Sequence, residues 1–120
     1  MTINVRACIA YIAGRSISGN QLAGVYDYSQ SKKVPLSGSV TPDHIDIYDT
    51  GQNCHFLGDR NGSRYTLLYN GNPHPVTLEI KGNGFRGCDH GTSTYFNGKV
   101  QSNSVNIYDC ESGLSFHFGI

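Results

Sequence analysis

Histidine and cysteine are the side chains of this 120-residue chain best suited to metal or nucleophilic chemistry. The histidines are His44, His55, His74, His90 and His117, and the cysteines are Cys8, Cys54, Cys88 and Cys110. A zinc site is spelled by close pairs of such ligands. The chain has no Cys-x-x-Cys, no His-x-His and no histidines one helical turn apart. A nucleophilic site needs a base and an orienting acid beside its Cys or Ser. Cys54-His55 and Cys88-Asp89-His90 bring two such groups together in sequence, but their spacing dictates no triad. Asp59-Arg60-Asn61-Gly62 opens like a calcium loop and lacks the later ligands, including the closing Glu. The glycines of Gly14 to Gly24 lack the Lys and the spacing of a phosphate-binding loop. No catalytic residue, metal ligand or cofactor is therefore expected.

The remaining chemistry is recognition. Tyr26, Tyr48, Tyr69 and Tyr108 each precede an Asp or Asn, and Tyr95, His55 and His117 fall a few residues after such anchors. A tyrosine offers a flat apolar ring with a hydrogen-bonding tip. A row of them flanked by imidazoles would suit a neutral polar ligand such as a glycan, bound without catalysis. The same row also serves as a cross-strand ladder or as a contact between copies, so a self-assembling homo-oligomer is the alternative. A small barrel enzyme is the third reading; it would need a deep pocket holding a perturbed Cys, His or Asp.

These residues are positioned by a repeat. The anchors Asp27, Asp49, Asn70, Asp89 and Asp109 are 22, 21, 19 and 20 residues apart, and all but Asp89, which follows Cys88, come after a Tyr. A period near twenty marks a unit too short to bury a face alone, so units must pack on one another. One residue before each dipeptide stand Val25, Ile47, Leu68, Gly87 and Ile107, and further apolar residues alternate around them. Alternation gives a strand two different faces. Asp or Asn opening a turn that contains Gly is hairpin chemistry. The anchor carboxylates could pair as in glycosidases, but a turn role accounts for all of them at once. Residues 21–120 thus read as five hairpins, ten short strands in an all-β meander. The Trp-rich consensus of choline-binding modules and the Gly-x-Gly consensus of MORN repeats are both absent.

Residues 1–13, MTINVRACIAYIA, differ from the rest. As a helix they would start at Thr2 or Asn4 and end at Gly14, with apolar side chains around almost the whole circumference. The β-branched Ile3, Val5, Ile9 and Ile12 also suit a strand, but the helix is favoured. A barrel of about ten strands encloses more space than its own side chains fill. Eleven helical residues, about 16 Å, match the height of strands about 20 Å long. The expected fold is a single domain, 1–120, with the meander rolled into a barrel around this helix.

Nine basic and nine acidic residues leave no net field to recruit nucleic acid or an anionic membrane. The arginines are dispersed rather than grouped around the tyrosines, as a nucleic-acid groove would require. The apolar run from Ala7 to Ala13 follows a single Arg6 and is too short to cross a bilayer. A cytoplasmic protein with four reduced thiols is expected, in which Asn61-Gly62-Ser63 is a glycosylation sequon by spelling only.

Overall fold

The structure is a computed structural model and describes residues 1–69 and 74–120. Helix α1 spans Ile3–Ser18. Ten strands follow: β1 Gly24–Asp27, β2 Lys32–Val40, β3 His44–Asp49, β4 Cys54–Asn61, β5 Arg64–Tyr69, β6 Val76–Lys81, β7 Gly84–Asp89, β8 Thr94–Gln101, β9 Ser104–Asp109 and β10 Leu114–Gly119. Each pairs antiparallel with its neighbours in sequence, and β10 returns to β1, so the sheet closes into a barrel with the helix inside. Closure leaves no long unpaired edge.

The helix is the plug that a ten-stranded cylinder requires. Sixteen residues make about 24 Å of helix, within a molecule of 31 × 30 × 29 Å. Thr2 caps the first turn through Val5 N–H. Every residue from Val5 to Gly14 is buried, because wall surrounds the helix on all sides. The expected end at Gly14 is wrong. Gly14 is kept inside the helix by its surroundings: a Cβ there would lie 3.1 Å from Ile120 Cγ2. The residue that stops the helix is Gly19, at φ 74°, whose N–H bonds Arg15 O at 2.9 Å.

The strands alternate as expected. Val25, Leu36, Ile47, Phe56, Leu67, Leu78, Phe96, Ile107 and Phe118 face inward and are buried. Phe96 lies over its cross-strand neighbour Gly87, and Phe85 over Gly98. A Cβ on Gly87 would meet the Phe96 ring at 2.5 Å, and one on Gly98 the Phe85 ring at 2.4 Å. Glycine here makes room for a ring inside the barrel.

The anchor aspartates all lie at one end. Asp27, Asp49, Asp89 and Asp109 are buried, and each accepts a turn N–H, from Ser29 (2.9 Å), Gln52 (3.2 Å), Gly91 (2.9 Å) and Glu111 (3.0 Å). Each acts as the N-cap of a single helical turn. The turn is closed four residues later by a residue of positive φ: Ser31, Asn53, Ser93 and Gly113. Gly51 and Gly91, the glycines inside the turns after Asp49 and Asp89, do not take positive φ. Carboxylates at this end also face the positive end of α1 and the buried Arg6, which lies 3.7 Å from Asp109 and over the Phe116 ring. Burial lowers the Arg6 pKa, and the neighbouring acids oppose that shift.

One register expectation fails. Tyr69, not Asn70, is equivalent to the aspartates. Asp27, Asp49, Tyr69, Asp89 and Asp109 are 22, 20, 20 and 20 apart. Leu68, which the spacing grouped with Val25, Ile47 and Ile107, therefore points outward with Thr66, while Tyr65 and Leu67 fill the core. Asn70 and the start of its turn lie outside the described residues.

Candidate functional site

Closure decides where the expected Tyr and His residues stand. All but Tyr69 are on the outer wall, but a cylinder spreads an outer row around its circumference, so they fall into three groups. Tyr48 and His55 are cross-strand neighbours on β3 and β4 with rings 5.1 Å apart. Tyr48 Oη donates to Asn53 Oδ1, and His55 Nδ1 lies 2.9 Å from Asp46 Oδ1. Tyr26 on β1 meets Tyr28, a residue not expected in the site, with rings 4.9 Å apart. Tyr28 N–H bonds the carbonyl of His117, whose side chain is exposed on β10.

Tyr69 belongs to none of these. Its ring packs on Phe56 with centroids 5.7 Å apart, and its hydroxyl donates to Asp49 Oδ2 at 3.3 Å inside the barrel. Burial pushes its pKa well up, and hydrogen bonding to Cys54 and the charge of Asp49 add to this. It is not available to a ligand.

The third group borders a groove of about 450 Å³ on the outside of β5 to β8. The register builds it from two rows. Thr77, Cys88 and Tyr95 are successive cross-strand neighbours, and so are Arg64, Glu79, Arg86 and Asn97. Between the rows run Leu78, Gly87 and Phe96, whose side chains point inward or are missing, so the floor is backbone. Long side chains at Arg64, Arg86 and Tyr95 make the walls, while short Thr77 and Cys88 keep the middle low. Tyr95 stands 70% exposed. The second row continues to Tyr108, directly opposite Asn97.

Two members of the polar row are hydrogen-bonded to each other. Glu79 Oε1 accepts from Arg86 Nε at 3.0 Å and lies 2.9 Å from its Nη2, and Glu79 Oε2 accepts from Ser63 Oγ at 2.9 Å. The Ser63 hydrogen bond and then Arg86 hold the Glu79 carboxyl below the usual range. Arg86 and Glu79 thus present a fixed planar pair to the groove, with the Asn97 amide beside it.

Comparison with protein-family models, with characterised proteins and with solved structures gives no match. The geometry must speak for itself. Among the described residues no three His, Cys, Asp or Glu side chains are placed to hold a metal. The four buried aspartates are engaged in their turns, so they do not form a paired-carboxylate site. Thr77, Glu79, Arg86 and Asn97 were missed by the sequence reading. Their outward parity was legible, since each is one residue from an inward position, but their adjacency depends on the register of four strands.

Proposed function

We propose that this protein is a non-catalytic binding module, and that the groove beside Tyr95 takes a neutral polar ligand such as a glycan. One observation carries this reading: an exposed aromatic ring stands next to the hydrogen-bonded Glu79–Arg86 pair, with the Asn97 amide beside it. A pyranose has an apolar face that stacks on such a ring, and hydroxyls around its edge that engage carboxylate, guanidinium and amide in their plane. The filled barrel interior favours binding over catalysis, since a barrel enzyme would need that space for an enclosed pocket. The outer wall carries Lys33, Asp46, Asp59, Glu79, Arg86 and Lys99 where a membrane barrel needs an apolar band. No helix among the described residues is long and apolar enough to cross a membrane.

The self-assembly reading draws on another place. Leu57 and Leu68 are directly opposite one another on the outside of β4 and β5, and both are exposed. If copies associate, this pair is the natural contact, and Leu57→Ser would then lower the sedimentation coefficient.

The groove is tested by screening glycans against wild type, Tyr95→Ala, Cys88→Tyr and, as a control, Tyr26→Ser. Cys88→Tyr introduces the Tyr that three of the other four repeats carry at this position and fills the low middle of the groove. A glycan that binds wild type and Tyr26→Ser alike, and either groove variant at least about 10-fold more weakly, supports the site; 10-fold is about 1.4 kcal/mol. Undiminished binding by both folded groove variants sinks it, as does a screen in which no glycan binds wild type with a Kd below about 10 mM.

A further inference from the structure

The barrel wall has a low place at its seam. β1 has four residues and β2 has nine, and their pairing ends with Gly24 opposite Pro35. The last bond across the seam runs from Leu36 N–H to Ala23 O at 3.2 Å. Alternate residues of an antiparallel strand turn N–H and C=O to the same neighbour. Gly38 and Val40 therefore turn theirs toward the side on which β1 has ended. Between this edge and the segment 19–23 the wall opens into a notch.

Arg15, in the last turn of α1, reaches into that notch. Its Nη1 donates to Gly38 O at 2.7 Å and to Tyr11 Oη at 3.2 Å. Tyr11, fully buried one helical turn earlier, donates in turn to Leu22 O at 2.7 Å. Its ring lies 5.5 Å from the guanidinium. The chain Leu22–Tyr11–Arg15–Gly38 thus fixes the guanidinium through one nitrogen. Nη1 carries two hydrogens, and both are used. The Nε–H and Nη2–H edge, the fork that takes a carboxylate side-on, makes no hydrogen bond to any described residue.

Charge points the same way. Arg6, Arg60 and Arg86 each have an acidic partner. Among the described residues Arg15 has none: its partners are a carbonyl and a phenol. Two hollows meet at this side chain. One of about 350 Å³ is bordered by Leu22, Ala23, Pro35 and Leu36, and one of about 260 Å³ by Ser16 and Thr41; Arg15 and Gln21 line both. The carbonyl end of α1 is close by and repels anions in general. A ligand must therefore hold its charge at the Arg15 fork and place an apolar body against Leu22 and Pro35. Inorganic phosphate fits that description poorly.

We infer that the notch is a second binding site, for a small carboxylate with a short apolar body, and that Arg15 anchors the carboxylate. The carboxylate could belong to a free organic acid or to the last residue of a peptide. The site is separate from the Tyr95 groove and does not depend on it.

The test is an amide-resonance titration of the full chain with hexanoate, hexanol, N-acetyl-leucine and N-acetyl-leucinamide. Hexanoate is expected to move the amides of Arg15, Gln21 and Gly38 with a Kd on the order of 1 mM, fitting for a ligand of so few atoms. Hexanol and N-acetyl-leucinamide should bind at least about 10-fold more weakly, a difference of about 1.4 kcal/mol. N-acetyl-leucine binding tighter than hexanoate assigns the site to peptide ends; the reverse order assigns it to free acids. Arg15→Gln should abolish the response, while Arg15→Lys should weaken it and Tyr95→Ala should leave it unchanged. The proposal is overturned by hexanol matching hexanoate on wild type, by no response to either acid, or by shifts that map away from the notch. The wild-type titration decides these points even if the Arg15 variants fold poorly.

Discussion

Ile9→Ala puts the enclosed helix to the test. Ile9 is fully buried at the middle of α1. The substitution removes three carbons, and at about 0.8 kcal/mol for each the lost burial comes to about 2.4 kcal/mol. A cavity term follows, because a closed cylinder cannot move inward at one point without breaking the ladders on either side. A residual hole of roughly 70 Å³, at about 24 cal/mol per Å³, adds about 1.7 kcal/mol. The better helix propensity of Ala returns a few tenths. The sum is close to 4 kcal/mol, in the upper half of the range for such truncations. Urea unfolding should show a lower midpoint with an unchanged slope, and Tm should fall by roughly 10–20 °C. Ile3→Ala is the internal control: the same chemistry in the same helix, but at a residue 44% exposed, expected to cost under about 1 kcal/mol. If both variants lie within about 1 kcal/mol of wild type, the helix is not inside the barrel and this account of the fold fails.

Acid should act through the turns. Burial alone would push the Asp27 carboxyl up, but hydrogen bonds from Gln30 and Ser29 outweigh it and hold the pKa below the usual value. The stability this supplies is complete above the unfolded pKa, about 3.9, and is lost as pH falls through the lower folded value. Asp27→Asn should therefore be clearly less stable than wild type at neutral pH, with the gap narrowing below about pH 4; a gap that stays constant in urea melts to pH 2 contradicts this. The thiols should separate by position. Cys110 is exposed, whereas burial, with Asp49 and Cys54, pushes the Cys8 thiol well up, so a thiol reagent should label Cys110 in the native protein and Cys8 only on unfolding. Equal labelling rates in the native protein would contradict the burial of Cys8.

Much of the architecture was legible because it is periodic. Alternation around Val25, Ile47 and Ile107 showed strands with one inner face, and the aspartates marked where each hairpin turns. The helix was legible for the opposite reason: apolar residues on every side of Val5 to Ala13 have nowhere to go but an interior. Its length was misjudged because Gly14 was read for its conformational freedom. What keeps Gly14 in place is contact with Ile120, a residue 106 positions away. The Tyr69 slip has a different cause. Tyr-Asn resembles Tyr-Asp in spelling, whereas a strand counts parity, and a one-residue shift exchanges the faces. The even 20-residue spacing through Tyr69 carried the correct register all along.

The candidate groove was not legible, and the repeat itself explains why. Its outward position reads Tyr26, Tyr48, Leu68, Cys88 and Tyr108 around the barrel, and the neighbouring inward position reads Val25, Ile47, Leu67, Gly87 and Ile107. Four units follow one rule: a large residue outside and an aliphatic one inside. The fourth breaks it on both faces at once. Gly87 yields its inner space to the Phe96 ring, and Cys88 leaves the outer wall low between Thr77 and Tyr95. A pattern-based reading weights what recurs, so it collects the tyrosines, Tyr95 among them, and passes over the short and charged residues beside that ring. In a closed barrel whose interior is occupied, the recurring residues are already committed to packing or to turns. Room for a ligand then arises where the pattern lapses: at Cys88, where a Tyr is missing, and at the seam, where β1 is five residues shorter than β2.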